Sequence, residues 1–350
     1  MKIKAAYLIS PQPTADANLE EIEVVNYNEN LLKVIEPSWK DYIPRNQLRR
    51  MGKAVRIGTG AGLKLMEKEE SFKNADAIIV TSANGGLEDC VKFLKQMMTY
   101  GDGALTPTNF VQSTPNAIAG NIAMATNNHS YNMTHVNSSF SFIDGLRDAS
   151  LLLTENSEAK ILLGSVDEIS DFNFRINELR GHYKKEKIAS LELLESKTKG
   201  SICGESSAFY GVVKSSDCKL VSVIGFGALL TDNLESIKDF VEQFLIDNNL
   251  SSGEINGVMF GGNGDCFSDD IYKQLQELYF KESKIFSFKD LFGEHPSVIS
   301  AGFWYAHQLL KGMRPMNKVV NSNKGELKNI LIFNQYNKEE NSIILLSKEC

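Results

Sequence analysis

Cysteine is scarce in this sequence, and its spacing argues against two kinds of site. There are five cysteines in 350 residues, an odd number, and no Cys-x-x-Cys pair occurs. Neither a disulfide framework nor a zinc site is therefore predicted, and the five histidines show no metal-ligand spacing either. We expect reduced thiols in a cytoplasmic protein. The cysteines are Cys90, Cys203, Cys218, Cys266 and Cys350.

Long apolar runs and a surplus of basic residues are also missing. The run from Ala5 to Ile9 is too short for a signal-peptide core or a membrane span, and it predicts a first β-strand instead. A formal net charge of -7 argues against nucleic acid or an anionic membrane as the main partner.

Nucleotide-binding glycine motifs are absent as well. The sequence has no P-loop and no dinucleotide fingerprint on a strand-to-helix turn, so no tightly bound cofactor is predicted. The glycines of Gly58-Thr-Gly60-Ala-Gly62 fall inside a basic, amphipathic helix pattern. We interpret them as sites of close helix packing.

Short β-like runs alternate with helical patterns along the whole chain, which is typical of an α/β protein. Between residues 169 and 199 the chain turns polar, with Lys184, Lys185 and Lys187 clustered, and we interpret this stretch as a surface excursion with one helix. Strands are predicted at residues 4–9, 77–81, 131–136, 159–166, 207–213, 219–229, 257–260, 285–287, 329–334 and 342–346. Helices are predicted at residues 46–67, 87–99, 113–127, 139–153, 233–248, 269–280 and 297–311.

Five motifs occur in order between residues 49 and 205. They combine a basic helix start, glycine-rich strand ends, and Pro-Asn and Gly-Glu pairs. Each pair alone is common loop chemistry, and it is their order that is informative. The motifs are Arg49-Arg50-Met51, Gly85-Gly86-Leu87-Glu88, Pro107-Thr-Asn-Phe110 followed by Pro115-Asn116 and Gly120, Gly164-Ser-Val-Asp-Glu168, and Gly200-Ser-Ile-Cys-Gly204-Glu205.

In this order the motifs resemble those of a β-ketoacyl-acyl-carrier-protein synthase of the thiolase superfamily. The resemblance is closest to a divergent branch associated with aryl-polyene and flexirubin-type pigment gene clusters. It implies an α/β fold of five layers, α-β-α-β-α, built from two similar halves, which we place at residues 1–215 and 216–350. It also implies a dimer formed through the first half, with the strand Tyr131–Val136 meeting the region 107–121.

Such synthases need a cysteine at the start of a buried helix, two histidines and a lysine. The helix N-terminus lowers the thiol pKa, and the histidines assist decarboxylation of malonyl carrier protein. Laid along this pattern, Ser139 stands at the cysteine position, Gly261 at the first histidine position and Glu294 at the second. Lys289 is retained, and His295 is one residue away from the second histidine position.

The family's glycine-rich gatekeeper loop near the C-terminus is replaced too. Residues 334–341 read Asn-Gln-Tyr-Asn-Lys-Glu-Glu-Asn and contain no glycine, so the second oxyanion donor is in doubt.

These replacements lead us to expect a catalytically degenerate subunit of fatty-acid or polyketide biosynthesis, similar to the chain-length-factor partners of active ketosynthases. The resemblance implies acyl carrier protein and acyl thioesters as partners. One alternative is an active acyltransferase in which Ser139 is the nucleophile, assisted by Glu294 or His295. Another is a homodimer that binds acyl groups or acyl carrier protein without catalysis. A capping or space-filling role for Ser139 is favoured over nucleophilic catalysis.

Three other features have two interpretations each. Asn263 and Asp265 could bind a cation, but a turn is favoured. Cys266 could be reactive, but a buried or bystander thiol is favoured. Four basic residues of the first predicted helix could meet an acidic carrier protein, but a solvated helix face is favoured. These are Arg49, Arg50, Lys53 and Arg56.

Overall fold

The computed structural model describes residues 1–15, 22–101, 103, 105–266, 268–321 and 325–348, so Cys350 lies outside the described residues. The strands are β1 (Lys2–Ile9), β2 (Leu31–Leu32), β3 (Ala77–Ser82), β4 (Tyr131–Val136), β5 (Lys160–Asp167), β6 (Cys203–Gly204), β7 (Ser206–Val213), β8 (Val221–Leu230), β9 (Gly257–Phe260), β10 (Lys284–Ser287), β11 (Asn329–Tyr336) and β12 (Glu340–Ser347).

The helices alternate with the strands along most of the chain. They are α1 (Arg45–Leu48), α2 (Lys53–Lys68), α3 (Leu87–Tyr100), α4 (Pro107–Gln112), α5 (Ala117–Thr126), α6 (Ser141–Glu155), α7 (Asp171–Arg180), α8 (Leu234–Asp247), α9 (Asp270–Tyr279), α10 (Lys289–Phe292) and α11 (Ile299–Leu310). No helix in the described ranges combines the length and the hydrophobicity that a bilayer span requires.

Ten strands form one sheet in the order β10-β9-β11-β12-β8-β1-β7-β5-β3-β4. Read outward from the middle, β1-β7-β5-β3-β4 has the same strand order as β8-β12-β11-β9-β10, and in both sets the three outer strands are parallel. The sets meet through two residue pairs of β1 and β8, Lys2 with Ser222 and Ile3 with Val221. The strand order thus repeats across residue 215, and the division into two halves there stays a prediction.

Helices cover both faces of each set of strands. Residues of α6 and α11 share one hydrophobic core with both sets, so these two helices form the central layer. The outer face of the first set packs against α2 and α5, and that of the second set against α8 and α9. The layers therefore run α-β-α-β-α, and the α/β fold predicted from the resemblance is confirmed.

The central strands read as continuous apolar runs because both of their faces are covered. In β3, Ile79 faces the central layer, whereas Ile78 and Val80 face the outer helices. The aromatic residues Phe303 and Trp304 of α11 are fully or almost fully buried in the central layer.

The single helix predicted at residues 46–67 is wrong, because the chain leaves helical geometry between α1 and α2. Gly52 precedes α2 with an extended backbone, and a Cβ there would lie 1.6 Å from Asp89 Oδ2. Only glycine fits this close approach. The close packing predicted for Gly58 and Gly62 is confirmed, since a Cβ at either would lie within 2.7 Å of α5 side chains.

The polar stretch 169–199 contains the one predicted helix, α7, and also a short 3₁₀ turn that was not predicted, and Lys184 is not on the surface. Its side chain is fully buried, and Nζ donates hydrogen bonds to the backbone oxygens of Thr198 and Gly264, at 3.1 and 2.9 Å. A lysine can be buried when its ammonium finds such acceptors. Here it ties the excursion to the glycine-rich turn after β9.

Candidate functional site

Ser139 lies in the tight turn between β4 and α6. The turn is made by Ser138, whose φ of 47° is left-handed, and the Ser139 side chain is fully buried. Phe140 is the residue that precedes α6, so the capping role considered for Ser139 is wrong. Buried at the start of a 15-residue helix, Ser139 presents its amide and its hydroxyl to one common partner.

That partner is Glu340, which the sequence did not single out. Its Oε2 accepts hydrogen bonds from the Ser139 amide at 3.0 Å and from Ser139 Oγ at 2.5 Å. Its Oε1 accepts a third from Ser138 Oγ at 3.1 Å. One carboxylate therefore accepts hydrogen bonds from two groups of Ser139. In the role considered from the sequence, the hydroxyl would attack an acyl group and the amide would bind an oxyanion.

A hairpin between β11 and β12 brings Glu340 to this position. Tyr336 pairs with Glu340 across the two strands, and the turn between them contains Asn337 and Lys338 with φ of 50° and 68°. Asparagine adopts this left-handed conformation readily, and lysine does so at some cost. The segment without glycine, predicted to stand where the family has a gatekeeper loop, thus forms a short antiparallel turn.

At Gly261, which was predicted to stand at the first histidine position, a side chain would collide with Asn334. Gly261 follows β9, and a Cβ there would lie 2.2 Å from Asn334 Oδ1. The Gly261 amide donates to the backbone oxygen of Phe333 at 2.9 Å, and its carbonyl accepts from Tyr272 Oη at 2.8 Å. Asn334 is fully buried, and its amide group has no hydrogen-bond partner among the described residues. Asn334 thus occupies the space beside the Gly261 backbone.

Glu294, which was predicted to stand at the second histidine position, forms a buried ion pair with Lys289. Lys289 Nζ lies 2.8 Å from Glu294 Oε2 and also donates to the Gln335 backbone oxygen at 3.1 Å. The same Oε2 accepts from Asn263 Nδ2 at 2.9 Å. Both charged side chains are almost completely buried.

The Gly-x-x-x-Gly-Glu motif fixes the register of Glu294. The Glu294 amide donates to the Ile202 carbonyl at 2.7 Å, and its carbonyl accepts from Gly204 at 3.0 Å. A Cβ at Gly204 would lie 2.0 Å from the Phe292 carbonyl, so this approach requires glycine. With the backbone held in this way, it is the side chain of Glu294 that faces Lys289 and Asn263.

His295 points into a different polar network. Its Nε2 lies 3.1 Å from Ser206 Oγ and its Nδ1 lies 3.3 Å from Ser297 Oγ, and Ser297 in turn donates to Asp167. Burial lowers the pKa of His295 to about 3, and Lys289 contributes in the same direction. Neutral and enclosed, His295 links strand ends of the first set to the segment before α11.

A cavity of about 230 Å³ opens beside Glu294. Its wall includes Asn263 and Tyr336, and its rim carries the exposed basic residues Arg180, Lys199 and Lys338. Burial, followed by the carboxylates of Glu294 and Glu340, raises the pKa of Tyr336. The phenol thus lies near both acidic side chains. Ser139 is not part of the cavity wall.

The segment Asn263–Asp265 forms a turn. The Asp265 amide donates to Asn263 Oδ1 at 3.0 Å, and Gly264 has a φ of 74°. In the described part of the chain, no group of three or more His, Cys, Asp or Glu side chains is placed to hold a metal ion. Cys266 is exposed, so of the two favoured alternatives a buried thiol is wrong, and a bystander thiol stays a prediction.

Two of the four basic residues of the predicted first helix form ion pairs with other residues of the chain. Lys53 pairs with Glu205 of the Gly-Glu motif, which is fully buried, and Arg56 Nε lies 2.6 Å from Glu36 Oε1. A fully solvated helix face is therefore wrong for these two. Arg49 and Arg50 lie between α1 and α2 and are exposed.

Sequence reasoning missed Glu340 and Asn334, although both lie in the segment noted for its lack of glycine. The contact between Glu340 and Ser139 spans 201 residues, so no local pattern indicates it. The available signal was the composition of this segment. A loop without glycine carries a side chain at every position, and those side chains must occupy space that a glycine-rich loop would leave open.

Comparison with known proteins agrees with the fold. Residues 26–199 match the family model described as the N-terminal domain of beta-ketoacyl synthases. No curated protein sequence matches the chain. A β-ketoacyl synthase from Burkholderia phymatum superimposes with a TM-score of 0.78 at 15% identity, covering 99% of both chains.

Two solved complexes contain similar chains. A ketosynthase in complex with its chain length factor from Xenorhabdus doucetiae gives a TM-score of 0.75 at 12% identity, covering 99% of this chain and 97% of that one. A type II polyketide ketosynthase, bound to its acyl-carrier protein and a hexaketide, gives 0.74 at 14% identity, covering 99% and 98%. The chain is therefore similar over residues 26–199 to the N-terminal domain of β-ketoacyl synthases, and it shares the fold of these solved structures along its length.

Proposed function

We propose that this protein is a non-condensing, chain-length-factor-like subunit of fatty-acid or aryl-polyene-type polyketide biosynthesis. In this role it pairs with an active ketosynthase and supplies part of the surface around the growing acyl chain. The similarity to chains from a complex of a ketosynthase with its chain length factor supports the proposal.

The observation that carries the proposal is the state of Ser139. Its hydroxyl and its amide both bind the carboxylate of Glu340, at 2.5 and 3.0 Å. A nucleophile must be free to reach a thioester carbonyl, and an oxyanion hole needs donors that are free to receive negative charge. The Glu340 carboxylate already accepts from the Ser139 amide, and its negative charge would repel an oxyanion at the same place.

The two histidine positions add to this. An active synthase uses imidazoles there, but Gly261 has no side chain and Asn334 fills its space. Glu294 is held by Lys289, which in an active site would be available to substrate. Decarboxylation of a malonyl group would have to proceed beside the carboxylate of Glu294, and like charges repel.

The proposed pairing surface lies around β4, which is an edge strand of the ten-stranded sheet. Its residues Tyr131, Met133 and Val136 are exposed. Phe110 and Val111 of α4, within the region predicted to meet this strand, are exposed too. An apolar edge strand left uncovered is prone to pair with another chain, so this surface fits a partner subunit.

The cavity beside Glu294 is the proposed entrance for the arm of an acyl carrier protein. Arg180 and Lys199 stand at its rim, and carrier proteins are typically acidic, so the charges are complementary. The similarity to a ketosynthase solved with its acyl-carrier protein supports this partner.

A second candidate function is acyl transfer by Ser139 with Glu340 as the general base. The favouring observation is the 2.5 Å separation of Ser139 Oγ and Glu340 Oε2, which is a base within hydrogen-bond reach of a nucleophile. Glu294 and His295, considered for this role from the sequence, hydrogen-bond to other groups.

Purification from the native host tests both candidates. A tagged chain is expected to retain a cysteine-containing ketosynthase, and alone it is expected to form no condensation product from malonyl and acyl carrier protein. Recovery as a homodimer without a ketosynthase would contradict the proposed pairing. Mass-spectrometric detection of an acyl group on Ser139 would establish the second candidate.

A further inference from the structure

The contact between Glu340 and the Ser138–Ser139 turn has the form of an occupied binding site. Three donors meet one carboxylate: Ser138 Oγ on Oε1, and the amide and Oγ of Ser139 on Oε2. The donors belong to the turn before α6, whereas the carboxylate belongs to β12. Donor and acceptor thus come from distant parts of the chain.

The chemistry of the donors selects a carboxylate. Each carboxylate oxygen has a partner, and all three partners are neutral N–H or O–H groups. The turn opens onto the N-terminus of α6, a helix of 15 residues, where the aligned peptide dipoles favour negative charge. Ser139 is fully buried, so a carboxylate that binds there gives up its hydrogen bonds to water and receives hydrogen bonds from the protein instead.

The backbone of β12 holds Glu340 at this turn. Glu340 is the first residue of β12, which pairs along its length with β11 on one side and with β8 on the other. The hairpin turn contains two left-handed residues, and this holds the carboxylate at short range from its donors. A group held in this way binds at a high effective concentration and excludes competing ligands.

We propose that the Ser138–Ser139 turn is a carboxylate-binding site that Glu340 fills from within the chain. The inference rests on the proposed function, because it explains how the nucleophile position is closed. Removal of the Glu340 side chain opens a site for a small carboxylate supplied in solution. The same contact ties the β11–β12 hairpin to the first set of strands.

The test is chemical rescue of Glu340→Ala by acetate. Thermal unfolding of the variant is measured against increasing sodium acetate, with sodium chloride and acetamide at matched concentrations. We expect a Tm below that of the unmodified protein, and a saturable rise in Tm with acetate only. Glu339→Ala, an exposed neighbour in the same turn, is the matched control, and it is expected to respond to acetate and chloride alike.

Equal responses of Glu340→Ala to acetate, chloride and acetamide would overturn the proposal. If the variant does not fold in chloride, refolding in acetate is the measurement: recovery in acetate alone supports the site, and failure in both salts counts against it. Adding Ser138→Ala and Ser139→Ala to Glu340→Ala is expected to abolish the rescue. Condensing activity of the unmodified protein would refute the proposed function and leave a rescued Glu340→Ala intact as evidence for the site.

Discussion

The side-chain oxygens of Ser139 and Glu340 lie 2.5 Å apart, although 201 residues of chain separate them. The hydrogen bond joins the turn before the central helix α6 to the hairpin of the last two strands. Because the Ser139 amide also donates to the same carboxylate, neither the hydroxyl nor the amide of Ser139 is available to another partner while this contact is made.

The first prediction concerns a thiol placed at the nucleophile position. In Ser139→Cys we expect slow alkylation by iodoacetamide, because the Glu340 carboxylate disfavours the thiolate and covers it. Combining this change with Glu340→Ala is expected to raise the rate at position 139 by at least about tenfold, since one pKa unit changes the thiolate fraction that much.

Peptide mapping by mass spectrometry provides the rate at each site. The exposed Cys218 and Cys266 serve as internal references that both variants share. Cys203 is expected to stay unlabelled, since burial raises the pKa of its thiol to about 12. Equal rates at position 139 with and without Glu340 would contradict the closed-site interpretation.

The second prediction concerns the filled space at Gly261. Gly261→Ala is expected to destabilise the fold by about 2 kcal/mol or more, because the new methyl group would overlap Asn334 Oδ1. The free energy of unfolding is measured by urea titration, for this variant, for Asn334→Ala and for the two together. Relief of the overlap in the double variant is expected to give a coupling energy of at least about 1 kcal/mol.

Gly325→Ala is the control for Gly261→Ala, since a Cβ at Gly325 meets nothing within 4 Å. We expect a change within about 0.5 kcal/mol there. Additive single changes at positions 261 and 334 would show that the two side chains do not compete for the same volume.

The third prediction concerns the buried ion pair of Lys289 and Glu294. Lys289→Met leaves a buried carboxylate without its charge partner, and we expect a loss of about 3 kcal/mol or more of stability. Lys289→Met combined with Glu294→Gln is expected to be more stable than Lys289→Met alone. The exposed pair Lys73–Glu70 is the control, and Lys73→Met is expected to cost less than about 1 kcal/mol.

The fourth prediction is the acid sensitivity that His295 confers. Its pKa of about 3 in the fold lies below the ordinary 6.5, so between these values the unfolded chain binds a proton that the folded chain does not. Stability contributed by neutral His295 is present above pH 6.5 and is lost as the pH falls toward 3, by up to about 1.4 kcal/mol per pH unit.

His295→Gln removes this titration. We expect the variant to be less stable than the unmodified protein at pH 7, because the hydrogen bonds to Ser206 and Ser297 are altered. Its free energy of unfolding should fall less steeply between pH 6 and pH 4, as measured by urea titration at each pH. The exposed His129→Gln serves as the control, and identical pH slopes for all three proteins would rule out the assigned role.

The fifth prediction concerns the edge strand β4. Met133→Lys places a charge on the exposed apolar strand and is expected to abolish retention of the partner ketosynthase in a pull-down. The unfolding temperature should change little, since the side chain is exposed. Leu179→Lys changes an exposed apolar residue on α7 and is expected to leave retention unchanged. Equal retention of the partner by both variants would place the interface elsewhere.

The strands and the matched motifs could be predicted because their signals are local. The runs Tyr131–Val136 and Gly257–Phe260 are strands at the predicted bounds. Gly257–Phe260 is a short apolar run of the kind that marks a buried strand, whereas Tyr131–Val136 mixes polar with aromatic and β-branched residues and forms an exposed edge strand. The five motifs fixed the family resemblance for the same reason, and with it the layered fold.

The side-chain arrangement of the site was not predictable, because it depends on contacts between distant segments. Ser139 was predicted as the first residue of a helix, whereas it lies in the turn before α6, and the sequence does not indicate that Glu340 would reach it. The burial of Lys184 likewise depends on two loops that supply backbone oxygens. The different surroundings of the Glu294 and His295 side chains likewise follow from the backbone hydrogen bonds of Glu294 to Ile202 and Gly204.

The close approach of Gly261 and Asn334 makes these two positions a coupled unit in evolution. A larger residue at 261 would first need a smaller residue at 334, and that change alone would leave an unfilled volume in the core. Neither substitution is favourable without the other, so an imidazole can enter at 261 only if both positions change together.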